Sequence, residues 1–331
     1  MLNPGIVAHR LGLRDSYGPW LGALNDVGTS GGGVASFTRA DVASVLRCLA
    51  VRQADLDEIL DALPEPGRQP ELWWLLERCV AVLVGEMGRG GELSVAWPSL
   101  PATLGTVGRY FYVYVFAAAV PYVRDYHVEH GVPDAVSWAT LADLGEKVAM
   151  HRRAHGLGGF EKQGWLALHF RGGIYTLGRL QFELHQVRWP ADELARAGAP
   201  FGPGEPVLAV HIPATGPLSP EACDDSFAMA RGFFEQRFPK PAARYAVCNS
   251  WLLDRQLGAY LSPHANILQF QRRFTLLPIW APGDREVREY VFGDPDISLE
   301  DVVPATTLEA AIVEQWVGGG RWRTQAGWCP L

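Results

Sequence analysis

The pattern of apolar positions changes near residue 156. Before that point, apolar residues recur every three or four positions, which is the period of a helix with one buried face. A clear example is the apolar stripe formed by Leu72, Leu76, Cys79, Leu83 and Met87. After that point, apolar and polar residues alternate in short runs bounded by Gly and Pro, which is typical of strands. The pattern predicts a helical first half and a second half that mixes helices and strands.

The first half contains further segments at helical spacing. Thr38 predicts the start of one helix, because its hydroxyl can accept a hydrogen bond from a free N–H group of the first turn. Apolar spacing predicts a second helix that ends before Pro64. The apolar run over 104–129 predicts a long buried helix, bent at Pro121. The spacing over 137–155 predicts a last helix of this half.

The second half predicts a sheet with helices between its strands. Residues 165–170 predict a first strand, and Gly172-Gly173 predicts a hairpin turn after it. On the return strand, alternation places four polar side chains on one face: Arg179, Gln181, Glu183 and His185. The further predicted strands are 206–212, 244–251, 275–280 and 287–292. The further predicted helices are 219–238, 266–274 and 307–317.

These elements predict an α+β fold, in which a mostly helical N-terminal domain precedes a mixed β-sheet flanked by helices. Residues 1–36 are rich in Gly, Ser and Asn, and they predict a flexible, linker-like lead. Residues 37–155 make up the predicted helical domain. Residues 156–331 make up the predicted sheet domain.

Composition argues against several kinds of partner. The net charge is −7 and no long basic run occurs, so we expect no nucleic-acid partner. The most apolar run, 110–123, is too short to span a bilayer and contains Pro121, so we expect no membrane partner. The five cysteines are an odd number without a CxxC pair, which favours reduced thiols and a cytoplasmic protein.

Two histidine pairs lie at helical spacing and could each approach one metal ion. They are His127 with His130, and His151 with His155. Neither pair has the HExxH order of zinc proteases. The helix dipole alone favours histidines near a helix C-terminus. We therefore predict no metal site.

Four segments carry a resemblance to a known family. The LGRLQFE run at 177–183 is the most specific, and VHIP at 210–213, SWATLADLGEK at 137–147 and PELWWLLE at 70–77 add to it. In these segments the chain resembles bacterial acyltransferases that join a helical N-acyltransferase N-terminal domain to a GNAT-like C-terminal domain. The resemblance covers about residues 41–280, and it implies a GNAT-like mixed sheet for the second half.

The resemblance also implies acyl-CoA or acetyl-CoA as co-substrate, lying across the loop after the central strand. In the family, backbone N–H groups and a helix N-terminus hold the CoA pyrophosphate there. The positions that match this cofactor site are Ile212, Ala214, Thr215, Gly216, Asn249, Asn266 and Phe270.

This chain departs from the family's glycine-rich loop. Pro213 and Pro217 lack the N–H donor that such a loop uses. Glu221, Asp224 and Asp225 place negative charge at the start of the next helix, where a pyrophosphate would lie. We therefore expect a weakened pyrophosphate site. An acyl-carrier protein, which presents only a pantetheine arm, is an alternative donor.

Many members of the GNAT superfamily use a tyrosine to protonate the leaving thiolate. The matching helix here is 266–274, and Gln271 stands where that tyrosine would fall. Tyr260, upstream of this helix, is the candidate replacement.

Acyl transfer to an amine needs a base that takes a proton from the amine. His211, at the end of the predicted central strand, and Glu183, acting through water, are the two candidates. The candidate substrate-binding residues on the same face are Arg179, Gln181 and His185. The alternative is a polar network that only holds surfaces in register. Cys248 as a covalent nucleophile is a further alternative.

We therefore expect an N-acyltransferase that moves an acyl group from acyl-CoA, or from an acyl-carrier thioester, to the amine of a small molecule. One alternative is a GNAT-shaped binding or regulatory protein without turnover, which the altered loop and the missing tyrosine motivate. Another is a relative with other thioester or small-metabolite chemistry, such as hydrolysis.

Overall fold

The computed structural model describes residues 2–29, 33–34, 37–240 and 242–331. The chain forms two compact units, Met1–Tyr175 and Thr176–Leu331. This division lies later in the chain than the predicted one at residue 156. The reason is that residues 163–170 form a helix of the first unit, where the sequence predicts a strand of the second.

The first unit is helical, as predicted. Its helices are α1 (Pro4–Leu11), α2 (Gly18–Val27), α3 (Arg39–Cys48), α4 (Gln53–Asp61), α5 (Pro70–Gly85), α6 (Gly105–Arg109), α7 (Phe111–Glu129), α8 (Asp134–Leu141), α9 (Asp143–His155) and α10 (Gln163–Phe170).

Helix α7 supplies much of the core of this unit. Every residue from Tyr110 to Val120 is buried, and a helix that is apolar all round is stable only when other elements surround it. Its tyrosine hydroxyls are satisfied inside the core: Tyr110 donates to the Asp55 carboxylate at 2.7 Å and Tyr114 to the Ile59 carbonyl at 2.9 Å. Among the helices of the described residues, we find none that is long and apolar enough to cross a membrane.

The prediction of a flexible lead over 1–36 is wrong for most of that segment. Helices α1 and α2 lie within it, and Val7 and Leu24 are fully buried in the core. Asn3 caps α1 by accepting a hydrogen bond from the Ile6 N–H at 3.0 Å. Burial of these apolar side chains outweighs the high content of small polar residues. The predicted linker glycines Gly31 and Gly32 lie outside the described residues.

The helix predicted over 137–155 is two helices, α8 and α9, separated at Ala142. The Gly145 N–H donates to the Leu49 carbonyl at 3.0 Å, outside its own helix. A side chain at Gly145 would lie 2.3 Å from the Ala50 carbonyl oxygen, so the approach requires glycine. A tertiary contact therefore interrupts a run that reads as continuous in sequence.

The sheet and its helices lie from residue 174 onward. The strands are β1 (Ile174–Leu177), β2 (Leu180–Gln186), β3 (Pro206–His211), β4 (Tyr245–Ser250), β5 (Thr275–Pro282) and β6 (Arg323–Pro330). They form one mixed sheet in the order β1-β2-β3-β4-β6-β5. The helices are α11 (Ala191–Arg196), α12 (Pro220–Arg237), α13 (Asn266–Gln271), α14 (Asp284–Val287) and α15 (Thr307–Val317).

Three predictions for this half need correction. Residues 165–170 lie within α10, where 166–170 are all buried and Trp165 is half-buried, and Gly172-Gly173 follows that helix. The hairpin turn is Gly178-Arg179, with Gly178 at a φ of 72°. Residues 287–292 are helical rather than a strand, and only Val287 among them is buried. The chain end, to which the sequence analysis assigned no element, is strand β6, paired with both β4 and β5.

His127, on α7, is a buried titratable group in the first unit. Its Nδ1 lies 2.6 Å from the Ser137 hydroxyl, and its side chain is fully buried. Burial, followed by the charges of Arg124 and His130, lowers the pKa of His127 to about 4. In the unfolded chain the pKa of this histidine is about 6.5. Between pH 6.5 and 4 the unfolded state therefore binds more protons at His127 than the folded state does, and the free energy of unfolding falls as the pH falls.

We expect the free energy of unfolding to drop by about 2 kcal/mol more in the wild type than in His127→Gln when the pH is lowered from 7 to 5. Glutamine keeps a polar contact with Ser137 but does not titrate. Urea titrations of both proteins at the two pH values measure this difference, because groups common to both cancel. Equal pH dependence in the two proteins would contradict the burial argument.

Candidate functional site

The sheet opens between β3 and β4, its two parallel strands. Within the described residues, the β3–β4 ladder covers only the pairs Leu208–Ala246 and Ala209–Val247, although each strand has six residues. The C-terminal ends of the two strands, at His211 and Ser250, extend beyond this ladder. Beyond these two pairs, the register of the sheet does not join β3 to β4.

Glu183 lies on the face of the sheet that borders this opening. The antiparallel register pairs Gln181 with His211 and Glu183 with Ala209, so these side chains share one face. Glu183 is 4% exposed. One carboxylate oxygen lies 3.2 Å from Nε2 of His211, and the other lies 3.4 Å from Nδ1 of His185.

This arrangement suits proton transfer at His211. A carboxylate that accepts from Nε2 fixes that nitrogen as the donor, so Nδ1 becomes the ring's acceptor. The His211 side chain remains 30% exposed, whereas the Glu183 side chain is 6% exposed. His211 is therefore the more accessible member of the pair.

The predicted substrate-binding residues do not all contact this pair. His185 contacts Glu183, as described above. Gln181 is 3% exposed, and its amide donates to the Thr176 hydroxyl at 3.2 Å. Arg179 instead donates to two backbone carbonyls of the loop after β3, those of Pro217 at 3.0 Å and Gly216 at 2.9 Å. Arg179 thus holds the predicted cofactor loop.

A second arginine contacts the start of α12. Ser219 caps this helix, and Arg273 pairs with Asp224 and donates to the Pro220 carbonyl at 2.9 Å. The hydrogen bond from Arg273, followed by its charge, lowers the pKa of Asp224. Asp224 is one of the three acids expected to repel a pyrophosphate, and its negative charge is therefore partly neutralised by Arg273.

Both guanidinium groups retain a buried nitrogen that is not hydrogen-bonded. Among the described residues, neither Nη1 of Arg179 nor Nε of Arg273 has a partner. Burial lowers the pKa of Arg179, which reflects the cost of holding its charge in this environment. Two cations near a helix N-terminus form an anion-binding environment that the sequence analysis did not find. Its signals in the sequence are Arg179, a candidate substrate-binding residue, and the basic pair Arg272-Arg273 after α13.

The predicted cofactor-contact residues fall into two groups. Six of the seven lie at or near the surface: Ala214, Thr215, Gly216 and Asn249 are exposed, Ile212 is half-buried, and the sixth is Asn266. Asn266 is exposed at the start of α13. Phe270 is 1% exposed and its ring packs on Phe274 at 5.2 Å, so it contributes to the core of the unit.

Tyr260, the candidate acid, donates a hydrogen bond to the Gln315 side chain at 2.6 Å. None of the contacts described for Tyr260 reaches Glu183 or His211. Gln271, where the resemblance implies a tyrosine, donates to the carbonyls of Leu252 and Asp254 at 2.8 and 3.0 Å. Gln271 therefore fixes the segment after β4.

Cys248 is buried in β4, and burial, followed by the nearby Cys329, raises the pKa of its thiol well above the usual value. A thiol must lose its proton to act as a nucleophile. The structure therefore favours a packing role for Cys248 over covalent catalysis.

Comparison with known proteins bears on both units. The family model for the N-acyltransferase N-terminal domain matches residues 40–172, and that for the GNAT-like C-terminal domain matches residues 174–329. No curated protein matches the chain.

Solved structures match along the whole chain. One is described as an acyltransferase in complex with decanoyl-CoA and teicoplanin; it is 39% identical, with a TM-score of 0.89 and full coverage of both chains. Another, a mutant acyltransferase in complex with octanoyl-CoA, has the same identity, TM-score and coverage. A third, in complex with CoA and 10C-teicoplanin, is 38% identical, with a TM-score of 0.88 and full coverage of both chains.

The two family models together span nearly the whole chain, and the likeness to acyltransferases of solved structure extends from end to end. The chain belongs to the acyltransferase family that joins an N-acyltransferase N-terminal domain to a GNAT-like C-terminal domain.

Proposed function

We propose that the protein transfers a medium-chain acyl group from acyl-CoA to the amine of a small molecule of the teicoplanin type. The Glu183–His211 pair beside the opening of the sheet carries this proposal. The donor and the acceptor class are taken from similar acyltransferases, which bind decanoyl-CoA, octanoyl-CoA and teicoplanin.

The reaction proceeds by attack of the amine nitrogen on the thioester carbonyl carbon. His211 accepts the amine proton on Nδ1, while Glu183 holds Nε2 and stabilises the imidazolium. Backbone N–H groups at the end of β3, beyond the short β3–β4 ladder, stabilise the tetrahedral oxyanion. The C–S bond then breaks, an amide forms, and the thiolate of CoA takes up the proton. The products are the N-acylated acceptor and CoA thiol.

The donor's phosphates lie against the start of α12 in this proposal. Pro213 and Pro217 remove two N–H donors from the loop. The guanidinium charges of Arg179 and Arg273 compensate for them, because arginine binds phosphate oxygens strongly. CoA carries a pyrophosphate and a further phosphate, whereas a carrier arm has a single phosphodiester, so two arginines near the loop favour CoA over a carrier protein.

The catalytic pair can be tested with His211→Ala and Glu183→Gln. We expect His211→Ala to lower kcat by about 10²–10⁴-fold, the usual contribution of a general base, with little change in the affinity for acyl-CoA. Glu183→Gln removes the charge that favours the imidazolium and should also lower kcat. Turnover is measured as CoA thiol release with decanoyl-CoA and teicoplanin.

His185→Gln is the matched control, since this histidine contacts the same carboxylate but is not assigned the proton transfer. It should retain most of the activity. Full activity of both His211→Ala and Glu183→Gln would refute the catalytic role of the Glu183–His211 pair. Tight acyl-CoA binding without turnover of any amine would favour the non-catalytic alternative.

The phosphate contact can be tested with Arg273→Met. Loss of a charge-assisted contact of roughly 1.5–3 kcal/mol should weaken decanoyl-CoA binding by about 10–100-fold. Binding of decanoyl-pantetheine, which lacks the nucleotide phosphates, should not change. Isothermal titration calorimetry with both ligands measures the two affinities.

Arg272→Met is the control for this experiment, because the neighbouring arginine donates to Gln269 and to the Pro263 carbonyl instead. It should bind both ligands like the wild type. Equal wild-type affinity for decanoyl-CoA and decanoyl-pantetheine would contradict the phosphate contact and favour a carrier-protein donor.

A further inference from the structure

A group of three metal-ligating side chains lies in the first unit, at the C-terminal end of α9. His151 and His155 project from the last turns of the helix, and Glu161 comes from the segment that follows it. Nε2 of His151 lies 3.7 Å from one Glu161 oxygen, and Nε2 of His155 lies 3.6 Å from the other. One ligand atom from each residue lies within 4.8 Å of the other two.

The local backbone positions these ligands. Gly156 ends α9 with a φ of 63°, and the chain turns back along the helix. A side chain at Gly159 would lie 2.5 Å from Cε1 of His151, so only glycine lets the segment pass this close to the ring. The sequence Gly156-Leu157-Gly158-Gly159 therefore serves to bring Glu161 back to the two histidines.

His151 also makes a hydrogen bond that is common in metal sites, in which the ring nitrogen that does not bind the metal donates to a backbone carbonyl. Its Nδ1 lies 3.1 Å from the Leu157 carbonyl oxygen and donates to it, which leaves Nε2 as the ring's acceptor. The His151 side chain is only 10% exposed, whereas His155 and Glu161 are 45% and 58% exposed. The site is thus anchored on the helix and open to solvent on one side.

The spacing fits an ion better than direct hydrogen bonds. Both nitrogen–oxygen distances exceed the range of a good hydrogen bond. Metal–ligand distances of about 2.0–2.2 Å in tetrahedral geometry place ligand atoms roughly 3.4 Å apart. The two histidine–carboxylate distances, each to a different oxygen of Glu161, are 3.7 and 3.6 Å. Two imidazoles and one carboxylate are a ligand set typical of zinc, with the fourth position left to water.

We propose that His151, His155 and Glu161 form a binding site for one zinc-class divalent cation, which fastens the segment 156–161 to the end of α9. In sequence, the His151–His155 pair lacks the HExxH order and the helix dipole alone accounts for it, and the third ligand, Glu161, comes from outside the helix. This proposal does not depend on the proposed acyl transfer.

The test uses the full chain without a polyhistidine tag, after treatment with EDTA and removal of the chelator. Titration with ZnCl2 in a calorimeter should show one ion per chain and a higher melting temperature, because a ligand that binds the folded state stabilises it. His155→Gln and Glu161→Gln should each weaken zinc binding by more than about tenfold, the lower end of the effect of losing even an outer-shell partner. Both changes are at exposed side chains, and circular dichroism confirms that the variants fold.

His264→Gln is the control, since this exposed histidine lies outside the cluster. It should bind zinc like the wild type. Cobalt(II), used as a coloured substitute, should give visible absorption bands in the wild type that weaken in His155→Gln. Absence of zinc binding, or binding that is unchanged in both cluster variants, would overturn the proposal.

Discussion

The divergence of β3 and β4 is the constraint on which the candidate site depends. Strand β3 pairs with β2 along its whole length, and β4 pairs with β6 along its whole length, both in antiparallel register. Antiparallel pairing is slightly more stable per residue than parallel pairing. Each strand therefore follows its outer partner, the parallel ladder between them stays short, and the sheet opens where His211 ends β3.

Strand β6 is the outer partner of β4, and two aspartate carboxylates fix the point where β6 begins. Asp284 accepts a hydrogen bond from the Trp322 N–H at 2.9 Å, and Asp254 accepts one from the Arg323 N–H at 2.8 Å. The Gln325 amide then donates to the Ile279 carbonyl at 3.2 Å, where the pairing of β5 with β6 is irregular. Side-chain hydrogen bonds thus hold β6 between β4 and β5.

Two arginines at the start of α12 supply positive charge beside the altered loop after β3. The two prolines of the loop remove N–H donors, and the acids of the first turns oppose an anion. Arg179, from a hairpin turn, and Arg273, from the segment after α13, contact the same region from distant parts of the chain. A helix N-terminus with two guanidinium groups remains suited to phosphate, although the residues that supply the charge differ from those of the usual motif.

The sequence by itself determined the helical first half, the strand face that carries Glu183 and the cap at Ser219, because periodicity and capping are local properties. It did not determine the helix over 163–170, whose apolar residues fit either period, or the break at Ala142, which a contact with Leu49 causes. Strand β6 and the convergence of Arg179 with Arg273 were decided only by the tertiary structure. Both bring together residues far apart in the chain, and the free energy that favours them comes from contacts that no local pattern encodes.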